Sequence, residues 1–181
     1  MQLSGMRPDG SRNTPGRILK VDHAGEFGAV NIYRAQILVG SLCRAGHVAK
    51  LREFLAHEKQ HRAIFKAELD RRGLRRSWIY PLCGVGGVAM GLLSGLLGRR
   101  AVMTCTDAVE SVVLNHLEEQ LSALAVVGDK QAYTAVARII DDERHHQADG
   151  AEQSRDWMLY RPFATTIRWA TEGVIWLGMR P

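Results

Sequence analysis

The stretches His57-Glu58-Lys59-Gln60-His61 and Asp142-Glu143-Arg144-His145-His146 decide how this chain folds. Each carries a glutamate followed three residues later by a histidine. On an α-helix, positions three apart share a face about one turn from each other, so each pair offers one carboxylate and one imidazole to the same metal ion. Two such pairs predict two metals held between helices. Around the first pair, Leu51, Phe54, Leu55, Ile64, Phe65 and Leu69 recur at helical spacing and predict a helix from about Val48 to Arg72, closed by Gly73. The second pair falls in a stretch that reads as one helix from Lys130 to about Trp157.

Further out, apolar periodicity predicts a helix from Ile18 to about Leu42 and another from about Ala101 to Val127, ending at Gly128. Gly25 and Gly28 are costly inside the first of these and suggest close packing against a neighbour. Nothing reads as a β-sheet, so the class is all-α. A chain of 181 residues with 46% hydrophobic content suits one domain with a substantial core. Residues 1–16, rich in Gly, Pro, Ser and Asn and lacking an apolar core, read as a flexible tail, with the domain occupying 17–181. Three scattered cysteines, Cys43, Cys83 and Cys105, support neither a disulfide framework nor a thiolate zinc motif and fit a reducing compartment.

The formal net charge is +5, with Arg71, Arg72, Arg75, Arg76, Arg99 and Arg100 bracketing a long apolar run. No basic cluster carries the interleaved aromatics of a single-strand binder, which favours a membrane surface over nucleic acid. The run itself, Trp78 to Gly98, has no charged residue and is long enough to span a bilayer. A single span there would leave the two Glu/His pairs on opposite sides of the membrane. If the pairs share a site, the segment packs on the bundle or dips into the membrane instead. Gly87, Gly91 and Gly95, four residues apart, give it a flat face for close helix approach. Phe163 to Leu177, with Trp169 and Trp176, is a second amphipathic membrane-contacting segment.

A two-metal bundle site also needs carboxylates from two further helices, as in ferritin-like di-iron proteins. Glu26, amid Ala24, Gly25, Phe27 and Ala29, and Glu110, amid Ala108, Val109, Val112 and Val113, stand in apolar contexts where a carboxylate requires a cation or partner. The resulting expectation is a ferritin-like four-helix bundle with additional membrane-contacting helices. Taken singly, any of these residues is as well read as a surface charge or a satisfied core group; their joint order and spacing argue otherwise. His116 is a candidate to hydrogen-bond a ligand, whereas Glu118 and Glu119 read as a solvated face. A rival reading uses the same letters: His57-Glu58-Lys59-Gln60-His61 is also an H-E-x-x-H motif, in which His57 and His61 bind zinc and Glu58 is the general base of a hydrolase. His57 discriminates the two.

The chain resembles the demethoxyubiquinone hydroxylases, the Coq7 family. The resemblance rests on Val21-Asp22-His23-Ala24-Gly25-Glu26-Phe27-Gly28-Ala29, Glu58-Lys59-Gln60-His61, Cys105-Thr106-Asp107-Ala108-Val109-Glu110 and Asp142-Glu143-Arg144-His145-His146, in that order. It implies six ligands to two Fe ions, Glu26, Glu58, His61, Glu110, Glu143 and His146, the set the spacing already suggests. His145 adjoins His146, and only the spacing from Glu143 favours the latter. By analogy with similar sites, Asp142 is a candidate to fix a ligand histidine from the opposing helix. Departures are Phe27, where the family often has an aromatic hydroxyl, and Leu117, where it has a tyrosine after the residue matching His116.

The resemblance further implies an O2-dependent monooxygenase that hydroxylates the ring of demethoxyubiquinone late in ubiquinone biosynthesis. Such an enzyme is expected as a peripheral protein on the cytoplasmic face of the inner (cell) membrane, reached by its isoprenoid quinone through segments 78–98 and 163–177. The electron donor is open, as is assembly into a homo-oligomer or a ubiquinone-biosynthesis complex. A non-enzymatic ferritin-like iron-binding protein would use the same ligands, and a bundle hydroxylase acting on a tRNA base is a fold-level alternative; the lipophilic segments weigh against both.

Overall fold

The structure is a computed structural model describing residues 14–154 and 156–180; the tail expected at 1–16 lies mostly outside the described residues. Among the described residues seven helices follow in order: α1 (Pro15–Leu42), α2 (Val48–Arg71), α3 (Tyr80–Leu97), α4 (Arg99–Val127), α5 (Lys130–Ala137), α6 (Ile140–Ser154) and α7 (Tyr160–Gly178). There is no strand among the described residues. Helix α1 starts at Pro15, three residues before the apolar periodicity does, because a proline in the first turn sacrifices no hydrogen bond. Gly73 and Gly128 end α2 and α4 with φ of 63° and 76°, the left-handed conformation a glycine adopts without strain.

The helix expected over Lys130 to Trp157 is two helices. Arg138 and Ile139 form a turn, with the Ile139 N–H donating to Val136 O, three residues back. Asp141, Asp142 and Glu143 then occupy the first turn of α6, where the helix dipole favours negative charge. The break lets Ile139 and Ile140 bury among Ile18, Phe65, Leu117 and Leu124 while α6 runs along α4.

The uncharged run is long and apolar enough to cross a membrane by length and composition. It does not separate α2 from α4, both of which contribute to one site. Instead it packs backbone to backbone on α1. A Cβ on Gly87 would lie 2.3 Å from Gly28 O, one on Gly91 2.4 Å from Ile32 O, and one on Gly95 3.0 Å from Val39 Cβ. The buried Gln36 Nε2 donates to Ser94 Oγ across the same interface at 2.9 Å. Of Gly25 and Gly28, only Gly28 serves this contact; a Cβ on Gly25 would meet nothing among the described residues and would point into a cavity instead. The outer face of α3 exposes Leu82, Val85, Leu93, Leu96 and Leu97, and α7 exposes Trp169 and Trp176. Not all the flanking arginines are free to meet headgroups. Arg71 and Arg72 bond Glu68, and Arg72 makes a bidentate pair with Asp129 at 2.7 and 2.8 Å.

Candidate metal centre

Helices α1, α2, α4 and α6 each bring one turn of polar side chains into an otherwise apolar core. Glu26, Glu58, His61, Glu110, Glu143 and His146 are all buried, none more than 6% exposed. Their donor atoms fall into two groups, each lying within 4.8 Å of one another: Glu26, Glu58, His61 and Glu143 in one, Glu58, Glu110, Glu143 and His146 in the other. Glu58 and Glu143 belong to both. A group of four donors around each of two positions, with two carboxylates shared, is the arrangement of a dinuclear centre with bridging carboxylates.

Both imidazoles turn Nδ1 inward. His61 Nδ1 lies 2.8 Å from Glu143 Oε1, and His146 Nδ1 lies 3.1 Å from Glu58 Oε1. Outward, the Nε2–H of His61 donates to Asp142 Oδ2 at 3.0 Å, as the sequence suggested. The Nε2–H of His146 donates to His57 Nδ1, also at 3.0 Å, with the rings stacked 9° from parallel. These outer bonds fix the tautomers that leave Nδ1 a free lone pair. His57 therefore orients His146 and does not turn with His61 toward a common point, which removes the geometric basis of the H-E-x-x-H reading.

Tyr33, two turns beyond Glu26 on α1, donates its hydroxyl to Glu110 Oε1 at 3.1 Å. Its seven-residue spacing from Glu26 is the only sequence signal for that role. His116 does not bond any of the six residues; its Nε2 pairs with Glu172 Oε2 on α7 at 2.9 Å. Asp107, from the same motif as Glu110, is buried and accepts from Gln147 Nε2 at 2.6 Å, from Tyr160 OH and from Arg168 Nη2. It ties α4 to α6 and α7 beside the centre.

Desolvation, then the charges of Glu58 and Glu143, push Glu26 well above the usual carboxylate range; Glu110 rises for the same reasons. Burial lowers His146, but the adjoining Glu143 and Glu58 carboxylates more than offset it and raise it to about 9 in the absence of a cation. Burial raises Glu143, but the imidazoles of His146 and His61 beside it outweigh that and bring it down. Four carboxylates cannot coexist here without protons or cations. Glu58 Oε1, His61 Nδ1, Glu143 Oε2 and His146 Nδ1 are buried yet have no hydrogen-bond partner. Orphaned lone pairs converging on two points fit a pair of cations. An oxygen-rich set with two imidazoles suits Fe(II) or Mn(II) better than structural zinc.

A cavity of about 200 Å3 between α1, α3, α4 and α7 reaches Glu26, Glu58, Glu110 and Glu143. Its walls are mainly apolar, with Ile32, Leu82, Met90, Val113, Leu117 and Val174 among them. Beyond these four glutamates it meets Asp22, which accepts a hydrogen bond from Gln120. Burial raises Asp22 to about 7, the bond from Gln120 opposing it.

The sequence model of the family described as "Ubiquinone biosynthesis protein COQ7" matches residues 13–178. The chain is 36% identical over 167 residues to a Dictyostelium discoideum protein named "NADPH-dependent 3-demethoxyubiquinone 3-hydroxylase, mitochondrial", covering 91% of this chain and 76% of that one. It is 33% identical over 158 residues to a Homo sapiens protein of the same name, covering 84% of this chain and 71% of that one. A Rhodospirillum rubrum "3-demethoxyubiquinol 3-hydroxylase" is 41% identical over 108 residues, which are 60% of this chain and 50% of that protein.

Proposed function

Because the chain belongs to the COQ7 family of ubiquinone biosynthesis proteins, we propose that it is a di-iron monooxygenase that hydroxylates the ring of demethoxyubiquinone, using O2 and an external reductant. The observation that carries this reading is the contact between two features: the cavity that ends on the four buried glutamates is walled by apolar side chains. Ferritin-like storage needs the carboxylates but no organic cavity, and the single-zinc hydrolase of the H-E-x-x-H reading has no use for two shared carboxylates.

Glu26 and His61 would hold one iron, Glu110 and His146 the other, with Glu58 and Glu143 between them. When bound, the irons supply O2 activation and insertion of one oxygen atom into a ring C–H bond. The chain's own residues do the rest. Asp142 and His57 keep both imidazoles aimed inward. Val109, Val113 and Leu117 exclude water from the cavity wall beside Glu110. Leu82 and Met90 of α3 and Val174 and Ile175 of α7 line the side where these helices expose apolar residues, a path for an isoprenoid substrate leaving lipid.

Membrane attachment follows from the same surface. The exposed leucines of α3, with Trp169 and Trp176, would sit in the interfacial layer of the cytoplasmic face of the cell membrane, leaving the bundle outside the bilayer. The test is single-turnover: protein loaded anaerobically with Fe(II), supplied with a short-tailed demethoxyubiquinone, reductant and 18O2. One labelled oxygen in a hydroxylated ring supports the reading. Iron oxidation at an equal rate with and without quinone, and no labelled product, would replace it with iron storage.

A further inference from the structure

The cavity contains two polar groups that neither the metal site nor the packing uses fully. Gln120 Nε2 donates to Asp22 Oδ1 at 2.9 Å, linking α4 to α1, while Asp22 Oδ2 and Gln120 Oε1 are buried without any partner. With Asp22 ionised the amide orientation is forced, since turning it would set two acceptors against each other. The other polar cavity residues besides the metal carboxylates are satisfied: His116 pairs with Glu172, and Thr171 Oγ1 donates to Ile167 O. Asp22 precedes Glu26 by four residues on α1, about 6 Å of helix rise, close to the width of a six-membered ring with its oxygens. A ring lying over the glutamates therefore brings one of its oxygens to this pair.

With Asp22 ionised, both orphaned atoms are acceptors. A quinone presents only carbonyl acceptors, which these atoms repel, whereas a hydroquinone presents hydroxyl donors, which satisfy them. Building on the quinone reading above, we propose that Asp22 and Gln120 form a ring-orienting subsite that accepts a hydrogen bond from a hydroxyl of the reduced, quinol form of the substrate. The pair selects the redox state of the ring and sets which ring edge faces the metal site. The names of the relatives divide between quinone and quinol; this subsite favours quinol for this chain.

The test is the ratio of two dissociation constants, for the quinol and quinone forms of a short-tailed demethoxyubiquinone, measured under argon by tryptophan fluorescence on the metal-free full-length chain. The pH is kept well above the value of about 7 to which burial raises Asp22, so that its carboxylate is ionised. Wild type is expected to prefer quinol by about tenfold, the value of one good hydrogen bond to a buried acceptor. In Asp22→Asn the amide oxygen takes the Gln120 bond and the amide NH2 replaces Oδ2, so the preference should fall to parity or reverse toward quinone. Gln120→Leu should lose several-fold of the preference. A ratio is insensitive to the folded fraction, so partial unfolding of a variant does not imitate the result. Both forms binding wild type equally, or a ratio unchanged in both variants, would overturn the subsite alone. Failure of either form to bind wild type would overturn the quinone reading with it.

Discussion

Substituting alanine at two adjacent glycines of α3 should have opposite effects on stability. Gly86 and Gly87 are both interior to the helix, where alanine gains about 1 kcal/mol over glycine from propensity. At Gly86 a Cβ would have nothing within 4 Å, so the gain stands. At Gly87 the Cβ would lie 2.3 Å from Gly28 O and 3.1 Å from Gly28 C, neither of which is the end of a flexible side chain. Restoring an ordinary carbon–oxygen contact of roughly 3.3 Å requires α3 and α1 to part by about 1 Å. Overpacking of this kind costs about 1–3 kcal/mol, which cancels or exceeds the propensity gain. The two variants should then differ by about 1–3 kcal/mol, or roughly 3–10 °C in Tm for a domain this size. Gly91→Ala, whose Cβ would meet Ile32 O at 2.4 Å and Ala35 Cβ at 2.8 Å, should behave like Gly87→Ala. Thermal unfolding followed by circular dichroism in a single detergent checks this. Equal shifts for Gly86→Ala and Gly87→Ala would mean that α3 does not rest on α1 in solution as described, and the non-spanning reading would lose its support.

Asp142→Ala leaves His61 free to turn and should weaken metal binding about 10- to 100-fold without lowering the saturated metal content; competition with a chelator measures it. Tyr33→Phe should cost the metal-free protein about 1 kcal/mol in urea unfolding, since Glu110 loses its one hydroxyl donor. Asp129 caps α5 through Ala132 N–H and pairs with Arg72, whose hydrogen bonds hold its carboxyl below the usual range. A depressed folded-state value contributes stability above the unfolded value of about 3.9 and loses it as pH falls through the folded one. Asp129→Asn keeps the cap but not the charge, so its deficit of about 1–2 kcal/mol at neutral pH should vanish as acidification passes below the depressed folded-state value. Leu93→Asp with Leu96→Asp, at positions 55% and 75% exposed, should remove about 2 kcal/mol of transfer energy and reduce sedimentation with anionic vesicles on the order of 30-fold.

The six buried residues that converge were legible because helical spacing, duplication and the apolar surroundings of Glu26 and Glu110 all point to one site. The helices themselves were legible from periodicity and from Gly73 and Gly128 as terminators. The break between α5 and α6 was missed because Arg138 and Ile139 are ordinary helix residues, and only the burial of Ile139 selects the turn. The acidic run Asp141-Asp142-Glu143 was the available signal for a new helix start. The sequence presents His57 only as a rival metal ligand; that its ring turns to His146 depends on how far apart α2 and α6 lie, which no spacing within one helix reveals. Arg71 and Arg72 looked like membrane contacts because their partners, Glu68 apart, come from Asp129, far away in sequence. The Asp22–Gln120 pair was equally invisible, since it joins two helices across a cavity.

The most direct measurement is the number of irons bound per chain after anaerobic Fe(II) loading, with Mössbauer spectra before and after exposure to O2, for wild type and His57→Ala. The di-iron proposal predicts close to two irons per chain, magnetically coupled once oxidised and retained at saturation in His57→Ala though with weaker affinity. One uncoupled metal per chain, abolished by His57→Ala, would contradict the dinuclear centre and return the site to the zinc-hydrolase reading.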